Sequence, residues 1–419
     1  MRLEECCLHI TDGEHCTVKD DLTGEYFLLS NKNIIDGNIV IGKDERRISK
    51  DAFEKINKRI LLNVNDVLIS TVGTLGKTAV VKGPINYTFQ RSVGIIKPDP
   101  EKLDSNYLKY LLDTAHYQNL LLGLSSGAIQ KCIFINTLKS LPIQLPDLET
   151  QERIAGVLSV IDAKVTLNRQ ICAKLEETAR KIYNYWFVQF DFPDKEGKPY
   201  KSSGGEMVYN SQLKREIPKG WELKPLKECI SHINTGLNPR DNFVFGGGIK
   251  YITVKNLTTT GEIDFSGCDY IDETAREKVH RRSQIAKGDI LYASICPLGR
   301  TFLITSEPKG WDINESVFSI RPNINVVSSI YLNLLLKDDY YIRKLTQNST
   351  GSIFQGIRIH ELEKTLVLVP SIEVVRAFSE NVEPLIMAQA GRDSENLSLI
   401  SQRDKLLPIL MNGQVKIEK

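Results

Sequence analysis

The feature that most constrains this 419-residue chain is that it repeats itself. LEECCLHI at residues 3–10 aligns with LKECISHI at residues 226–233, a shift of 223 positions. DVLISTVGTLGKT at 66–78 aligns with DILYASICPLGRT at 289–301 at the same shift; one residue is then inserted, so Pro146 aligns with Pro370. Self-similarity over this length predicts two similar halves in tandem.

Each half begins with about 145 residues of short apolar runs separated by Gly, Asn and Asp. Runs such as DVLIS, TAVV and SVGII are typical of strands bounded by turns. Short amphipathic segments after Ser49 and Ser105 predict helices between them. The first part of each half is therefore predicted to be a mixed α/β globule.

The second part of each half predicts a long helix. From Asp147, a candidate N-cap, to Trp186 there is no proline, and Gly156 is the single glycine. Apolar residues recur at alternating steps of four and three, the period of a coiled coil. The seam comprises Ile154, Leu158, Ile161, Val165, Asn168, Cys172, Leu175, Ala179, Ile182 and Trp186. Asn168, its one polar member apart from the cysteine, either fixes the pairing register or is an ordinary surface residue.

A shift of 224 carries this seam to the end of the chain. The corresponding residues are Phe378, Val382, Leu385, Gln389, Arg392, Asn396, Leu399, Arg403, Leu406 and Leu410. Pro384 is expected to kink or delay the first turns, and Gly413 to end the helix. Two long amphipathic helices in one chain most economically pair with each other. On the first helix, Val157, Val160, Leu167 and Ile171 widen the apolar stripe, which favours docking of another protein.

These patterns predict an α+β fold: two tandem, similar mixed α/β domains, each followed by a long helix. The two helices are expected to form an antiparallel coiled coil with pseudo-two-fold symmetry. The predicted boundaries are a first domain at 1–146, a first spacer helix at 147–190, a linker at 191–212, a second domain at 213–370 and a second spacer helix at 371–419.

The sequence offers little catalytic chemistry. A phosphate-binding GxxxxGK[ST] loop ending at Gly76-Lys77 needs glycine at position 71, where Thr71 stands, and the repeat replaces Lys77 by Arg300. A glycine turn carrying a basic side chain fits better. No [ND]PP[YF] motif of adenine methyltransferases occurs. Cys6, Cys7, His9, His15 and Cys16 are residue types that ligate zinc, but their spacing matches no standard site. We therefore predict no metal site and no catalytic residue.

Three segments resemble a known family. They are LPDLETQERIAGVLSVIDAKVTLNRQICAKLEETARKIYNYWFVQFDFP (145–193), GGEMVYNSQLKREIPKGWELKPL (204–226) and RDKLLPILMNGQVKI (403–417). Each resembles signatures of the specificity subunits of type I restriction-modification enzymes. The resemblance implies that each globule is a target recognition domain reading half of a split, asymmetric DNA site, and that the helices set the gap.

The same resemblance implies the partners and cofactors. Two methyltransferase subunits, which use S-adenosylmethionine to methylate adenine N6, would bind the halves, and restriction subunits that use ATP and Mg would join them. This chain would hold no cofactor and would not be catalytic by itself. The sequence itself predicts a cytoplasmic location, because its eight scattered cysteines indicate a reducing compartment and no stretch reaches about 18 uninterrupted apolar residues. A rival hypothesis is a DNA-independent coiled-coil scaffold whose globules bind protein; a self-sufficient methyltransferase is a weaker rival.

Candidate DNA contacts are cationic and amide side chains at matched places, because such groups bind phosphates and base edges. In the first half they are Lys77, Arg91, Gln130 and Lys131. In the second half they are Arg281, Arg282, Arg300, Gln355 and Arg358. Arg91 aligns with Glu315, so the two halves are expected to read different sequences.

Overall fold

The computed structural model describes residues 1–127, 131–238, 243–295, 297–348 and 356–414. The chain forms two compact units, residues 1–166 with 397–419, and residues 167–396. Each unit contains one globule together with part of both long helices. No helix within the described ranges combines the length and the apolarity needed to cross a bilayer.

The first globule is built on two main sheets and one short two-stranded sheet. Its strands are β1 (Cys7–Asp12), β2 (Tyr26–Leu29), β3 (Ile34–Ile35), β4 (Asn38–Ile39), β5 (Arg47–Ile48), β6 (Val67–Ser70), β7 (Thr78–Val80), β8 (Tyr87–Phe89) and β9 (Val93–Pro98). The helices up to the first long one are α1 (Lys50–Ile60), α2 (Ser105–Asp113), α3 (Ala115–Leu124), α4 (Ile135–Lys139) and α5 (Leu148–Tyr183). The larger sheet is antiparallel in the order β1-β9-β6-β7, and the smaller has the order β5-β2-β8 with β2 parallel to β8.

Local sequence explains where these helices begin and which faces they bury. The Ser49 hydroxyl caps α1 by accepting a hydrogen bond from the Ala52 amide at 3.3 Å. Phe53, Ile56 and Ile60 form its buried stripe. The helix predicted after Ser105 includes that residue, because the carboxylate of Asp104 is the cap that accepts from the Tyr107 amide at 2.8 Å.

The second globule has the same design. Its strands are β10 (Met207–Asn210), β11 (Arg215–Pro218), β12 (Glu222–Pro225), β13 (Ile230–Thr235), β14 (Ile249–Ile252), β15 (Asp269–Ile271), β16 (Ile290–Ala293), β17 (Thr301–Leu303), β18 (Trp311–Ile313), β19 (Val317–Pro322) and β20 (Leu366–Val369). Its helices are α6 (Leu226–Cys229), α7 (Glu273–Ser283), α8 (Ser329–Leu336), α9 (Asp339–Asn348), α10 (Ile359–Lys364) and α11 (Ile372–Met411). Its two main sheets have the orders β13-β19-β16-β17 and β15-β14-β18.

The predicted repeat is confirmed down to the register of the strands. Cys7 lies opposite Pro98 in β1 and β9, and Ile230 lies opposite Pro322 in β13 and β19, with a bulge at the same place in both pairs. At the end of β1, a Cβ on Gly13 would lie 2.2 Å from a backbone oxygen, and one on the equivalent Gly236 would lie 1.7 Å from another. Glycine is required at both positions because two backbones approach closely there.

The two long helices pair in antiparallel fashion inside each unit. In the first unit, Asp162 of α5 binds Arg403 near the end of α11 at 2.9 Å. In the second unit, Phe187, in the π-helical turn Asn184–Val188 that follows α5, lies 4.7 Å in ring centroid distance from Phe378 near the start of α11. The start of each helix therefore meets the end of the other, which confirms the predicted coiled coil.

The predicted seam residues are largely removed from solvent. Ile154, Leu158, Val165, Asn168, Cys172, Ala179, Trp186, Phe378, Val382, Asn396 and Leu410 are buried. Ile161, Leu175, Ile182, Leu399 and Leu406 are half-buried. The amide of Asn168 donates to the Asn396 side-chain oxygen at 3.0 Å and to the Glu395 carboxylate at 2.8 Å. Asn168 is thus a buried polar layer of the pair rather than a surface residue.

The two predicted helix-terminus effects on α11 differ in outcome. A delay of the helix at Pro384 is wrong, because α11 begins at Ile372 and continues through the proline to Met411, whereas the alternative, a kink, stays a prediction. The missing N–H of Pro384 leaves one carbonyl without its helical donor, while Phe378 and Val382 in the same stretch are fully buried and hold the helix in place. Gly413 adopts φ +66°, the left-handed conformation expected at the end of the helix.

Residues 191–212, predicted as a linker, pack on the second unit. The Phe192 ring stacks on Tyr200 and on Trp221, with centroid distances of 4.6 and 5.2 Å. The Asp191 carboxylate accepts hydrogen bonds from the amide and hydroxyl of Ser202, both at 2.7 Å. This segment therefore closes the aromatic core beneath the end of α5.

Candidate nucleic-acid interface

The two equivalent helices α1 and α7 concentrate positive charge. Each carries four basic and two acidic side chains, a net charge of +2 apiece, whereas the whole chain carries only +2. Their apolar stripes are buried, so that Lys58, Arg281 and Arg282 near their last turns are exposed. Such patches bind phosphate groups electrostatically. Local charge, rather than total charge, marks these helices as candidate DNA-facing elements.

The glycine-rich segment between β6 and β7 is a turn in an antiparallel pair. Gly73 and Gly76 have φ values of +78° and +79°, which favour glycine. The Ser70 hydroxyl accepts from the Lys77 amide at 2.8 Å and donates to the Thr74 carbonyl at 2.6 Å. The turn thereby fixes the backbone of Lys77 and leaves its side chain exposed.

Three of the residues predicted for the first half lie on segments that meet at Thr71. The Thr71 amide donates to the Ser92 carbonyl at 2.9 Å, and its hydroxyl donates to the Arg91 carbonyl at 3.4 Å. The Ile133 amide donates to the Thr71 carbonyl at 2.9 Å, which brings the segment of Lys131 to the same place. We call this region around Thr71, at the end of β6, the edge of the globule. Arg91 and Lys131, like Lys77, are exposed. Gln130 lies outside the described residues.

Arg59, at the end of α1, is a further cation at this edge that was not among the sequence predictions. Its guanidinium donates to the Gly13 carbonyl at 2.5 Å and lies 3.9 Å from the Glu14 carboxylate. The Arg91 amide donates to the Glu14 carbonyl at 3.0 Å, so the two arginines border the same segment. The repeat contains the signal that identifies Arg59, because a shift of 223 places it on Arg282.

In the second half, the predicted residues have different environments. The Arg282 guanidinium lies 3.5 Å from the Asn234 side-chain oxygen, and Arg281 is exposed. Arg300 instead donates to the backbone carbonyls of Val254 at 2.9 Å and Leu257 at 3.1 Å. The structure thus gives Arg300 a local role, stabilising residues 254–257, whereas no side-chain hydrogen bond of this kind joins Lys77 to another described residue.

The last predicted contacts flank the start of α10. Arg358 is exposed, and its amide donates to the Glu361 carboxylate at 2.8 Å. Gln355 lies outside the residues that the structure describes. At the position equivalent to Arg91, the Glu315 carboxylate accepts from the Asn238 amide group at 2.9 Å. The two halves therefore present opposite charges at one matched place on the edge.

A lysine–carboxylate bridge joins each globule to α5. In the first unit, Lys109 lies 3.0 Å from Asp162, which also accepts from the Tyr110 hydroxyl at 2.7 Å. Burial raises the pKa of Asp162, but Lys109, Tyr110 and Arg403 outweigh burial and hold it below its usual value. In the second unit, Lys337 lies 3.1 Å from Glu176. These bridges position each globule on the helix within its own unit.

The cysteine–histidine grouping near the N-terminus is not assembled as a metal site. Cys6 is buried, Cys16 is exposed, and His15 lies 2.7 Å from Asp12. Across the ranges that the structure describes, no three His, Cys, Asp or Glu side chains are grouped so as to hold a metal ion.

Comparison with known proteins gives a consistent result. A family profile described as "Type I restriction modification DNA specificity domain" matches residues 18–177 and 218–380. The chain is 26% identical over 395 residues to the type I restriction enzyme MjaIX specificity subunit of Methanocaldococcus jannaschii, covering 91% of this chain and 84% of that protein. It is 23% identical over 392 residues to the HindI specificity subunit of Haemophilus influenzae, covering 79% and 82%.

A solved structure supports the fold. The type I restriction-modification S subunit from M. genitalium superposes with a TM-score of 0.55 at 18% identity, covering 98% of this chain and 95% of that one. The profile matches together span more than half of the chain, and each covers most of one globule and part of the adjoining long helix. The chain therefore belongs to the specificity subunits of type I restriction-modification systems, the non-catalytic subunits that provide sequence-specific DNA recognition.

Proposed function

We propose that this chain reads a bipartite, asymmetric target on double-stranded DNA and positions methyltransferase and restriction subunits on it. One observation carries the proposal: two globules with the same strand order and register present different side chains at matched places. Arg91 and Glu315 are the clearest pair, since a guanidinium donates hydrogen bonds to base edges whereas a carboxylate accepts them. Two readers on one framework with different surfaces imply two different half-sites.

Binding and discrimination fall to different side chains. The exposed cations of α1, α7 and the β6–β7 turn neutralise phosphates and fix each globule on the duplex. Base identity is then read by amide and guanidinium groups that reach the base edges in the major groove. Among the exposed candidates, Arg91 lies where the two halves differ, and Arg358 lies where a loop ends. We therefore assign both arginines to base reading rather than to phosphate binding.

The long helices serve as the spacer and as the docking site for partners. α5 has 36 residues and α11 has 40, so each is roughly 50–60 Å long at about 1.5 Å per residue. On α5, Val160 is 70% exposed and Leu167 is 50% exposed, although both are apolar. A groove lined by Leu167, Ile171, Lys174 and Leu175 continues that surface. We assign this stripe to the two methyltransferase subunits.

The chemistry resides in those partners. S-adenosylmethionine would bind the methyltransferase subunits, while ATP and Mg would serve the restriction subunits, and this chain would hold no cofactor. Its own contribution is selection of the site and orientation of the partners toward it. Removing either globule should therefore abolish recognition of one half-site, while the partner surface of α5 is retained.

The spacer role is tested by deleting one heptad from each long helix, in the same layer of the pair. Seven residues at about 1.5 Å each shorten the helices by roughly 10 Å, so the gap in the preferred site should shrink by about three base pairs. Methylated adenines mapped by single-molecule sequencing would report the new gap. As the matched control, deleting the heptad from α5 alone should abolish methylation, because the seam is then out of register.

An unchanged gap would refute the spacer role. A gel-shift assay with the methyltransferase subunits present addresses the remaining alternative. If the wild-type complex shows no preference among DNA sequences, the chain is a DNA-independent scaffold, and the exposed stripe on α5 is its main functional surface.

A further inference from the structure

A histidine on the last turn of α7 is joined to a buried carboxylate. His280 Nδ1 lies 3.0 Å from Asp312 Oδ2, and Asp312 on β18 is completely buried. The other carboxylate oxygen accepts from the Ser283 hydroxyl at 2.6 Å and from the Ile313 amide at 2.8 Å. The His280 side chain itself is 43% exposed. The imidazole therefore extends from the buried carboxylate to the surface of the helix.

This arrangement fixes what the outer nitrogen can do. With Asp312 ionised, Nδ1 must carry a proton to donate to it, so a neutral His280 has only a lone pair at Nε2. A lone pair repels the oxygen of an anion. The protonated ring instead carries an N–H at Nε2 and becomes a charged donor. Burial raises the pKa of Asp312 above its usual value, and the hydrogen bonds from Ser283 and Ile313 and the nearby His280 offset part of that rise.

The groove that contains His280 is lined by two arginines and one glutamate. Arg276, Glu277, His280, Arg281 and Gln284 line one groove along α7. Arg276 is paired with Glu273 at 2.9 Å, which leaves Arg281 as the exposed arginine of this groove.

The strands behind the helix add few charges. β18 contributes Asp312, while β13 carries His232 and Asn234, the latter beside Arg282. Tyr251 on β14 lies near Asp312 and has its pKa raised, mainly by burial. In the described part of the chain, Glu277 is the acidic residue that lines the groove together with Arg281 and His280.

The first half lacks this device. At the positions equivalent to His280 and Asp312 it has Asn57 and Thr88. The Asn57 side-chain oxygen accepts from the Leu62 amide at 3.0 Å, so it closes the end of α1 rather than facing a ligand. Thr88 is completely buried, and its hydroxyl lacks a hydrogen-bond partner in the described part of the chain. The two globules therefore differ at this place: the second has a titratable histidine, and the first has an asparagine.

We propose that His280, positioned by Asp312, binds a backbone phosphate of DNA in its protonated form together with Arg281. This inference rests on the proposed function. It predicts that the second half-site is held more tightly below neutral pH, whereas the first half-site has no equivalent dependence through α1.

The test measures binding of the full chain, assembled with its methyltransferase subunits, to a duplex carrying its target. Salt titrations are run at about pH 6 and about pH 8, on either side of the range in which histidine changes charge. For the wild-type chain, the slope of log affinity against log salt should be steeper at the lower pH by about 0.9, the value of one phosphate contact. His280→Asn should lose this difference in slope between the two pH values, because it replaces the imidazole by the side chain that the first half has at the equivalent position.

Two further variants separate a phosphate contact from a structural role. His280→Lys should keep the steeper slope at both pH values, since its charge does not titrate in this range. Asn57→His, the matched control on α1, should leave the wild-type pH dependence unchanged because no buried carboxylate orients it. If His280→Asn retains the wild-type difference in slope, the inference is overturned. If the wild-type complex prefers no DNA sequence at either pH, it is the proposed function that fails.

Discussion

The polar layer of the helix pair allows a quantitative test of how the spacer is specified. Asn168 is completely buried, and its amide donates to the Asn396 side-chain oxygen at 3.0 Å and to Glu395 at 2.8 Å. Within the described ranges, the side-chain oxygen of Asn168 has no hydrogen-bond partner. The perturbation is Asn168→Leu, followed by the double variant Asn168→Leu/Asn396→Leu.

The structure sets the expected magnitudes. A buried leucine contributes roughly 1.5–3 kcal/mol of hydrophobic stabilisation. Against this, the single variant loses two hydrogen bonds, one of them to a carboxylate, and leaves the buried Asn396 oxygen unpaired at a cost of about 1–3 kcal/mol. The single variant should therefore be less stable by about 1–2 kcal/mol. The double variant leaves no unpaired oxygen at this layer and should be at least as stable as the wild type.

Urea unfolding followed by circular dichroism measures both changes, with Asn396→Leu completing the cycle. The coupling energy between the two positions should be about 1–3 kcal/mol. Val160→Ala, on the exposed side of the same helix, is the control and should change stability by less than about 0.5 kcal/mol. The reasoning would be refuted if the losses of stability in the two single variants simply added, so that the double variant was the least stable of the set.

The same double variant should also affect recognition. A buried asparagine specifies register at a cost in stability, whereas an all-apolar layer tolerates alternative pairings. The methylated sites of a host carrying the double variant should therefore show more than one gap length, and a single unchanged gap would show that other layers set the register.

Three further outcomes are expected. Lys77→Ala should reduce the slope of log affinity against log salt by about 0.9, the value of one phosphate contact. Arg300→Ala should leave that slope nearly unchanged and instead lower the thermal stability of the second unit, because it loses hydrogen bonds. Equal changes of slope in the two variants would contradict this expectation. Phe378→Ala removes a fully buried ring and should lower the free energy of unfolding by about 3–5 kcal/mol, and a loss below about 1 kcal/mol would mean that the site collapses around the cavity. Burial first, and then the nearby Asp393, raises the pKa of the Cys172 thiol to about 12. At about pH 8, iodoacetamide should therefore label the exposed Cys16 and leave Cys172 unlabelled until the chain unfolds. Mass spectrometry of the alkylated peptides measures the labelling of both cysteines.

Sequence alone determined the architecture because its signals are periodic or repeated. The shift of 223 to 224 residues implied two similar globules, and β1 and β13 do pair with equivalent strands in the same register. The alternating steps of four and three implied a coiled coil, since they place one stripe on one side of a helix. Gly73 and Gly76 implied a turn because that backbone conformation favours glycine.

Only the tertiary structure decided what individual side chains do. Lys77 and Arg300 occupy equivalent places in the repeat, yet one is exposed and the other is bound to the carbonyls of Val254 and Leu257. His280 and Asp312 are 32 residues apart, so nothing local in the sequence indicates that they meet. Burial and partnership depend on which distant segments pack together, and a pattern within one segment carries no record of them.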